Sequence, residues 1–329
     1  MPRLARLDIA GLLQHVIVRG IERRDIFNDD HDRQLFFDRF AKLLSETGVR
    51  CYAWALLSNH FHLLLMPTST PLSSFMRRLL TGYAVSFNRH NKRSGHLFQN
   101  RYKSIVCEEE AYLLELVRYI HLNPLRAGMV KSLEELDQYH WSGHAVLLGN
   151  STFAGQETEA VLERFGQKLG TARSMYRQFV ADGIKEGRRV ELVGGGLKRS
   201  QGERSFNEYE SFDARVLGNG DFVDSLKQDE QLRDKMKSAV SLKQLVAAVA
   251  MVLGLEADSV RKPSKSRLPA LARGIICQLA IFEFGYLGSE VGKYLYLGSS
   301  GVSLAAKRGE KYLKAEGAVR KQISDAIEK

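Results

Sequence analysis

The stretch Cys51 to Pro67, CYAWALLSNHFHLLLMP, constrains the fold more than any other, because it sets two histidines, His60 and His62, inside a run of strand-forming apolar residues. Cys51 to Leu57 alternates and packs aromatics as a half-buried strand does, Ser58-Asn59 supplies a break, and His60 to Met66 resumes as a second, more completely buried strand. An antiparallel hairpin is the expected unit. Successive strand side chains point to opposite faces, so His60 and His62 project together, two rises of about 3.3 Å apart, while Phe61 points into the other layer. Two imidazoles so placed can hold one ion. A strand histidine is more often just a satisfied polar group, however, and two ligands do not complete a metal site, so a third donor has to come from elsewhere in the chain.

At 329 residues the chain is long enough for two domains. Lys and Arg number 48 against 38 Asp and Glu, a formal charge of +10 that points toward an anionic partner such as nucleic acid. Only Cys51, Cys107 and Cys277 are present, without a CxxC pair, so neither a disulfide framework nor a cysteine zinc site is supported, and a reducing cytoplasm fits. No apolar run approaches the roughly 20 residues needed to span a bilayer, and Gln14 and His15 interrupt the place of a signal peptide's apolar region. The expectation is a cytoplasmic protein without a membrane partner.

Taken in order, His15 to Gly20 reads as a first strand, and Asp32 to Thr47 as an amphipathic helix with Leu35, Phe36, Phe40, Leu43 and Leu44 at helical spacing. After the histidine hairpin, Leu72 to Asn88 reads as a helix whose Phe75, Leu79, Leu80, Ala84 and Phe87 face the sheet. Its other face is basic. Between Pro71 and Cys107 lie Arg77, Arg78, Arg89, Lys92, Arg93, Arg101 and Lys103 and no acid, a local charge of +7. The interleaved Tyr83, Phe87, Phe98 and Tyr102 are expected either to stack on bases or to fill the core. A strand at Tyr102 to Cys107 leads into a helix that starts with acid at Glu108 to Glu110 and ends at the Asn123-Pro124 break. On that helix Leu113, Leu116, Val117 and Ile120 form the apolar stripe, and Tyr119 and Asn123, four residues apart, share a neighbouring face. An amide oxygen from Asn123 suits a hard divalent cation, and a tyrosine hydroxyl one turn away can attack phosphorus. Considered locally, a packing tyrosine and a helix-ending asparagine explain the same two residues.

The order of strand, helix, His-Phe-His strand, basic helix, strand and Tyr-x-x-x-Asn helix, with the stretches NHFHLLL, GHLFQNRYKS, RYIHLNPLRAGMV and HWSGH, resembles the HUH single-tyrosine transposases over about Gln14 to Gly149. The likeness is to the REP-associated branch of the family that includes the small insertion-sequence transposases. It implies a catalytic divalent metal, Mg²⁺ or Mn²⁺, on His60 and His62, with Tyr119 as nucleophile. Asn123 takes the position of the third ligand, which the better-known insertion-sequence members fill with glutamine.

Beyond this region Phe153 to Gly187 is polar and helical, and Gly194-Gly195-Gly196 among Arg188, Arg189, Lys198, Arg199 and Arg204 reads as a linker, since no P-loop or Rossmann spacing surrounds it. Helical patterns return at Leu242 to Leu253, Leu268 to Phe284, Leu287 to Leu295 and Val302 to Ala315. From Arg261 to Lys314 ten basic residues face three acids, again +7. The last two patterns have helix-turn-helix organisation. Pro269 to Lys311 also looks like the C-terminal DNA-binding domain of the DnaA replication initiator. That likeness puts Ser299, Ser300 and Ser303 at the start of a recognition helix, with Lys307 and Arg308 reaching phosphates or base edges. A basic three-helix structural module is the plainer alternative.

The expected architecture is therefore an α+β catalytic domain over 1–150, its antiparallel sheet and helices forming a ferredoxin/RRM-like HUH palm. A helical extension and Gly/Arg-rich linker over 151–212 and an all-helical DNA-binding domain over 213–329 follow. The resemblance implies metal-dependent nicking and strand transfer on single-stranded or hairpin DNA through a 5′-phosphotyrosine, with a homodimer as one permitted assembly. Two rival readings are a catalytically silent DNA- or RNA-binding protein and a metallohydrolase with a water nucleophile. The second lacks a carboxylate base at a compelling spacing.

Overall fold

In a computed structural model, residues 6–187, 189, 192, 213, 215–229, 240–262, 266–284, 286 and 288–327 are described. They divide into two compact units, one of residues 8–195 with 215–218, the other of 1–7, 196–214 and 219–329. The Gly194-Gly195-Gly196 run and its neighbours Arg188, Lys198, Arg199 and Arg204 lie outside the described residues.

The first unit is built on a sheet of β1 (Leu13–Arg19), β2 (Arg50–Leu56), β3 (His60–Met66), β4 (Lys103–Cys107) and β5 (Val216–Leu217), in the order β2-β3-β1-β4-β5. The expected hairpin is β2 with β3, and the first four strands are antiparallel, whereas β5 joins β4 in parallel and makes the sheet mixed. A strand of two residues, Val216-Leu217, is too short to leave a periodic signal in the sequence. Val106 N–H and Glu108 N–H bond to the carbonyls of Arg215 and Leu217, both at 2.8 Å.

Helices cover both faces. On one side lie α1 (Asp30–Thr47) and α2 (Leu72–His90), whose Phe36, Phe40, Phe75, Leu79, Tyr83 and Phe87 close over Val16, Val18, Phe61, Leu63 and Leu65. On the other, α3 (Glu109–His121) lays Leu113, Leu116, Val117 and Ile120 against Leu13, Tyr52, Leu64 and Ile105. Consequently β2 is buried on both sides rather than half-buried, and its sequence reads as a nearly continuous apolar run. Helix boundaries follow local chemistry. Asp29 accepts from the N–H of Asp32 at the start of α1, and Gly48, with φ of 66°, closes its end by donating to the Leu44 carbonyl. Pro124 ends α3 and opens the short α4 (Asn123–Arg126), where its missing N–H costs nothing.

The unit runs beyond residue 150 because the outer edge of β2 needs cover. Leu56 N–H donates to the Trp141 carbonyl (2.9 Å), Glu157 N–H to that of Cys51 (2.7 Å) and Trp54 Nε1 to Gln156 Oε1 (2.9 Å). Farther on, α5 (Leu133–Asp137), α6 (Gly143–Leu148), α7 (Thr158–Leu162) and α8 (Leu169–Asp182) pack onto the α3 side through Val161, Ala172, Tyr176 and Val180. Between them a buried polar relay runs from Asp137 Oδ1 to His144 Nε2 (2.9 Å), from His144 Nδ1 to the Tyr176 hydroxyl (2.7 Å), and on to His121 Nδ1 (2.7 Å).

The second unit is helical. After α9 (Gly220–Gln228) come α10 (Leu242–Val252), α11 (Ala257–Arg261), α12 (Arg267–Phe282), α13 (Gly288–Leu295), α14 (Ser299–Ala315) and α15 (Gly317–Ile327), around a core that includes Leu245, Val249, Ile275, Ile276, Val291 and Ala306. The α12 and α14 backbones meet at Gly274 and Gly309, where a Cβ built on Gly309 would overlap the Gly274 carbonyl. Ser299 begins α14, so this helix starts three residues before the Val302 expected from the pattern. Among the described residues no helix is long and apolar enough to cross a membrane.

Candidate active site

Three strands and two helices, α3 and α4, set out the site. Antiparallel pairing puts His60 opposite Arg19, His62 opposite Ile17, and Leu64 opposite His15, while on the other side of β1 Ile17 faces Lys103 and His15 faces Ile105. Residues paired across strands share a face, so His15, His60, His62 and Lys103 all belong to the side covered by α3. Phe61 belongs to the opposite core, as strand alternation requires. The rings of His60 and His62 have centroids 5.2 Å apart.

α3 brings Tyr119 to the same place. Its ring stands edge-on to His62 at 5.9 Å and to His15 at 6.0 Å, and it is buried to 6% exposure. Asn123, one turn later, is also buried, and its Nδ2 is without a hydrogen-bond partner among the described residues. Because amide nitrogen and oxygen are assigned from their surroundings, this side chain can equally turn its oxygen to the same spot. Arg126, a further three residues on, sets its guanidinium over the Tyr119 ring at 5.4 Å. Its Nη2 donates to the Gly183 carbonyl at 3.3 Å, and its Nε and Nη1 are buried without partners among the described residues.

His15 and His62 are held neutral. Burial lowers His15 to about 4, aided by the charge of Lys103 and opposed by a bond to the Leu192 backbone. His62 is likewise lowered well below the usual histidine range, by burial first and then by His15, His60 and Arg19. His60 Nδ1 lies 2.6 Å from Asn59 Oδ1, an acceptor only at that atom, which puts the ring proton on Nδ1 and the lone pair on Nε2. His62 Nδ1 lies 2.9 Å from His15 Nε2. The donor set fits a first-row divalent ion: two imidazoles directed from one strand face, and an amide whose buried polar atom lacks a partner among the described residues. The only group of three His, Cys, Asp or Glu whose ligand atoms approach within 4.8 Å among the described residues is a different one, Asp29, Asp32 and His90. There the carboxylates already cap α1 and bond to Asn28 N–H and Asn91 Nδ2.

The seven basic residues of the stretch from Pro71 to Cys107 fall on three segments. Arg77, Arg78 and Arg89 are exposed on α2, which covers the face opposite to the histidines, and Arg78 is paired with Glu46. Lys92 and Arg101 are exposed in the α2–β4 connection, whose Arg93 ties back to Asn88 Oδ1 (3.2 Å) and the His96 carbonyl (2.8 Å). Lys103 alone of the seven sits on the histidine face. Of the four interleaved aromatics, Tyr83 and Phe87 are turned by α2 to the sheet and Tyr102 is also in the core, at 0%, 2% and 8% exposure, which leaves them no face for a base, whereas Phe98 is half-buried at the core's edge. In the second unit Ser299, Ser300 and Ser303 occupy the first turns of α14, and Lys307 and Arg308 are exposed along it.

His15 and Arg126 carry no signal of their own in the sequence. His15 differs from other strand histidines only in its register against β3, and Arg126 only in its distance from Tyr119 after the helix turns at Pro124. Neither relation is visible before the chain is folded.

No curated protein matches the chain. The solved structure of a REP-associated tyrosine transposase bound to a REP hairpin is similar at 19% identity and a TM-score of 0.39, over 48% of this chain and 98% of that one. A transposase candidate from Deinococcus radiodurans R1 is similar at 17% identity and a TM-score of 0.26, over 35% of this chain and 92% of that one. Residues 9–123, the stretch that carries His15, His60, His62, Tyr119 and Asn123, match the model of the IS200-like transposase family.

Proposed function

We propose that the chain is a DNA nickase and strand transferase in which Tyr119 is the nucleophile, acting on single-stranded or hairpin DNA. The observation that carries this reading is the edge-on placement of the Tyr119 ring against His62, 5.9 Å away, on the same sheet face as His60. The family match over residues 9–123 supports DNA transposition or the processing of DNA ends as the setting. A REP hairpin, the DNA bound to one solved relative, is a substrate to include in any trial.

The step is a transesterification. The Tyr119 oxygen forms a bond to phosphorus as the bond from phosphorus to the 3′-oxygen breaks; the phenol proton leaves to solvent and the departing 3′-oxygen takes one up. The product is a 5′-phosphotyrosine and a free 3′-hydroxyl, and the ester bond energy is kept for rejoining. His60, His62 and Asn123 are the residues that would hold a divalent ion, which when bound withdraws charge from the phosphate oxygens. Packing of the Tyr119 ring against His62 and His15 fixes the direction of attack. The Arg126 guanidinium puts a cation beside the phenol, where negative charge collects as the proton leaves.

In the second unit, α13 and α14 with Ser299, Ser300, Ser303, Lys307 and Arg308 are assigned to duplex or hairpin DNA as a helix-turn-helix, and residues 1–150 with their later extension to the chemistry. The test is incubation of the full chain with labelled single-stranded oligonucleotides from DNA flanking its gene, with Mg²⁺ or Mn²⁺. A denaturant-stable protein–DNA adduct is expected. Cleavage without any adduct would instead favour a water nucleophile, and binding without cleavage a silent DNA-binding protein.

A further inference from the structure

His15 is completely buried, and both of its ring nitrogens are engaged. Nδ1 lies 3.2 Å from the carbonyl oxygen of Leu192, and Nε2 lies 2.9 Å from Nδ1 of His62. These two contacts fix the order of the protons. A carbonyl oxygen only accepts, so His15 Nδ1 carries a hydrogen; the neutral ring then has its lone pair on Nε2, and His62 must donate from Nδ1. The remaining lone pair of His62 is thereby placed on Nε2. His15 itself has no lone pair left to offer an ion.

We infer that His15 is a positioning residue that fixes the tautomer and ring direction of His62, with the Leu192 carbonyl as the anchor of the relay. The inference rests on reading His62 as a metal ligand. It makes a backbone group 177 residues away from His15 part of the catalytic centre. Metal-bound histidines characteristically donate their second N–H to a carbonyl or carboxylate, which raises ligand basicity. Here a second imidazole takes that part, and passes the orientation on from a segment that follows α8.

A merely structural His15, satisfied by two bonds in the core, would make a different prediction about His62. The test uses the full chain with ¹⁵N-labelled histidine, free of metal, and reads the tautomer of His62 from long-range ¹H–¹⁵N spectra. Wild type is expected to show His62 as the Nδ1–H form. His15→Phe keeps an aromatic ring but has no acceptor, and should lose that preference. Mn²⁺ affinity, measured by calorimetry, should fall about 10- to 100-fold in the same variant, the range seen when such supporting partners are removed. His15→Gln restores an acceptor oxygen and should recover both the tautomer and most of the affinity.

Three results overturn the inference. One is a wild-type His62 protonated on Nε2, whatever the variants do; this also decides the matter if His15→Phe does not fold. Another is a folded His15→Phe that keeps both the Nδ1–H form and wild-type Mn²⁺ affinity. The third is His15→Gln behaving like His15→Phe. If instead wild type shows the Nδ1–H tautomer and binds no Mn²⁺, the metal reading of the site has failed while the relay stands.

Discussion

The rings of Tyr119 and His62 meet in a T-shaped contact, their planes at 78°. Only the hydroxyl is lost in Tyr119→Phe, so the ring contacts with His62, His15 and Arg126 remain. The variant is expected to bind single-stranded DNA like wild type and to form neither cleaved product nor adduct, as read on denaturing gels. Wild-type cleavage would move the nucleophile elsewhere, and Tyr112, 7% exposed on the same helix, is the next residue to replace.

His60→Ala and His62→Ala should each abolish metal-dependent nicking and reduce divalent-ion affinity. Asn123→Ala should do less, since water replaces a neutral amide oxygen more readily than an imidazole. Calorimetry with Mn²⁺ decides between a ligand and a core role. Unchanged affinity in both histidine variants would make the two side chains structural.

Much of the first unit was legible because its signals are local. Val, Ile, Leu and aromatic residues at strand spacing define β1 to β3, and the buried stripe of α3 is the one read from Leu113, Leu116, Val117 and Ile120. What escaped depends on pairing between distant segments. β5 is two residues long and exists as a strand only because β4 has an open edge, and His15 acquires its part from the register of β1 on β3. The basic stretch was legible as charge but not as geometry. Its seven cations fall on a helix, a connection and a strand that face different ways, so Lys103 shares the histidine face and Arg77, Arg78 and Arg89 do not.

Acid should loosen the α6–α8 packing through His144. Burial lowers its proton affinity, and the opposing pull of Asp137 does not offset this. The unfolded chain therefore takes up a proton near the ordinary histidine value before the native state does. Its stabilising effect is complete above about pH 6.5 and is lost as pH falls, at up to about 1.4 kcal/mol per pH unit. Urea unfolding between about pH 7.5 and 5, the range that brackets the ordinary histidine value, reads this slope. His144→Gln should reduce it by that share and leave the part contributed by His15, His62 and His121, whose proton affinity burial also lowers. Tyr176→Phe removes the hydroxyl that both His121 and His144 use, and should cost about 1–3 kcal/mol at neutral pH.

Gly309→Ala tests the crossing of α12 and α14. The added methyl would meet the Gly274 carbonyl and Ile275 N, both backbone, so the helices must separate. A loss of about 1–3 kcal/mol is expected for such overpacking, confined to the second unit. Hydrogen exchange of Ile275 to Leu279 amides should rise, while β1 and β3 amides keep their protection.

Two truncations separate the chemistry from the charge. A chain ending at Gly187, the end of the polar helical stretch, keeps His60, His62, Tyr119 and Asn123 but loses the Leu192 carbonyl and β5. Ending at Gly218 retains both and removes residues 219–329, the helical body of the second unit with its Arg261 to Lys314 cluster. The longer chain should match the full protein in Mn²⁺ affinity and still nick DNA at high concentration, whereas the shorter one should bind Mn²⁺ more weakly because nothing anchors His15. Both should bind DNA less tightly than the full chain. Log affinity against log salt should flatten by roughly 0.7–0.9 for each phosphate that the protein no longer neutralises. Binding across a salt series and single-turnover cleavage of all three chains test this division. An unchanged salt slope in the chain ending at Gly218 would mean that Lys307, Arg308 and their neighbours do not touch DNA. Equal Mn²⁺ affinity in the two truncations would mean that the sheet alone orients His62.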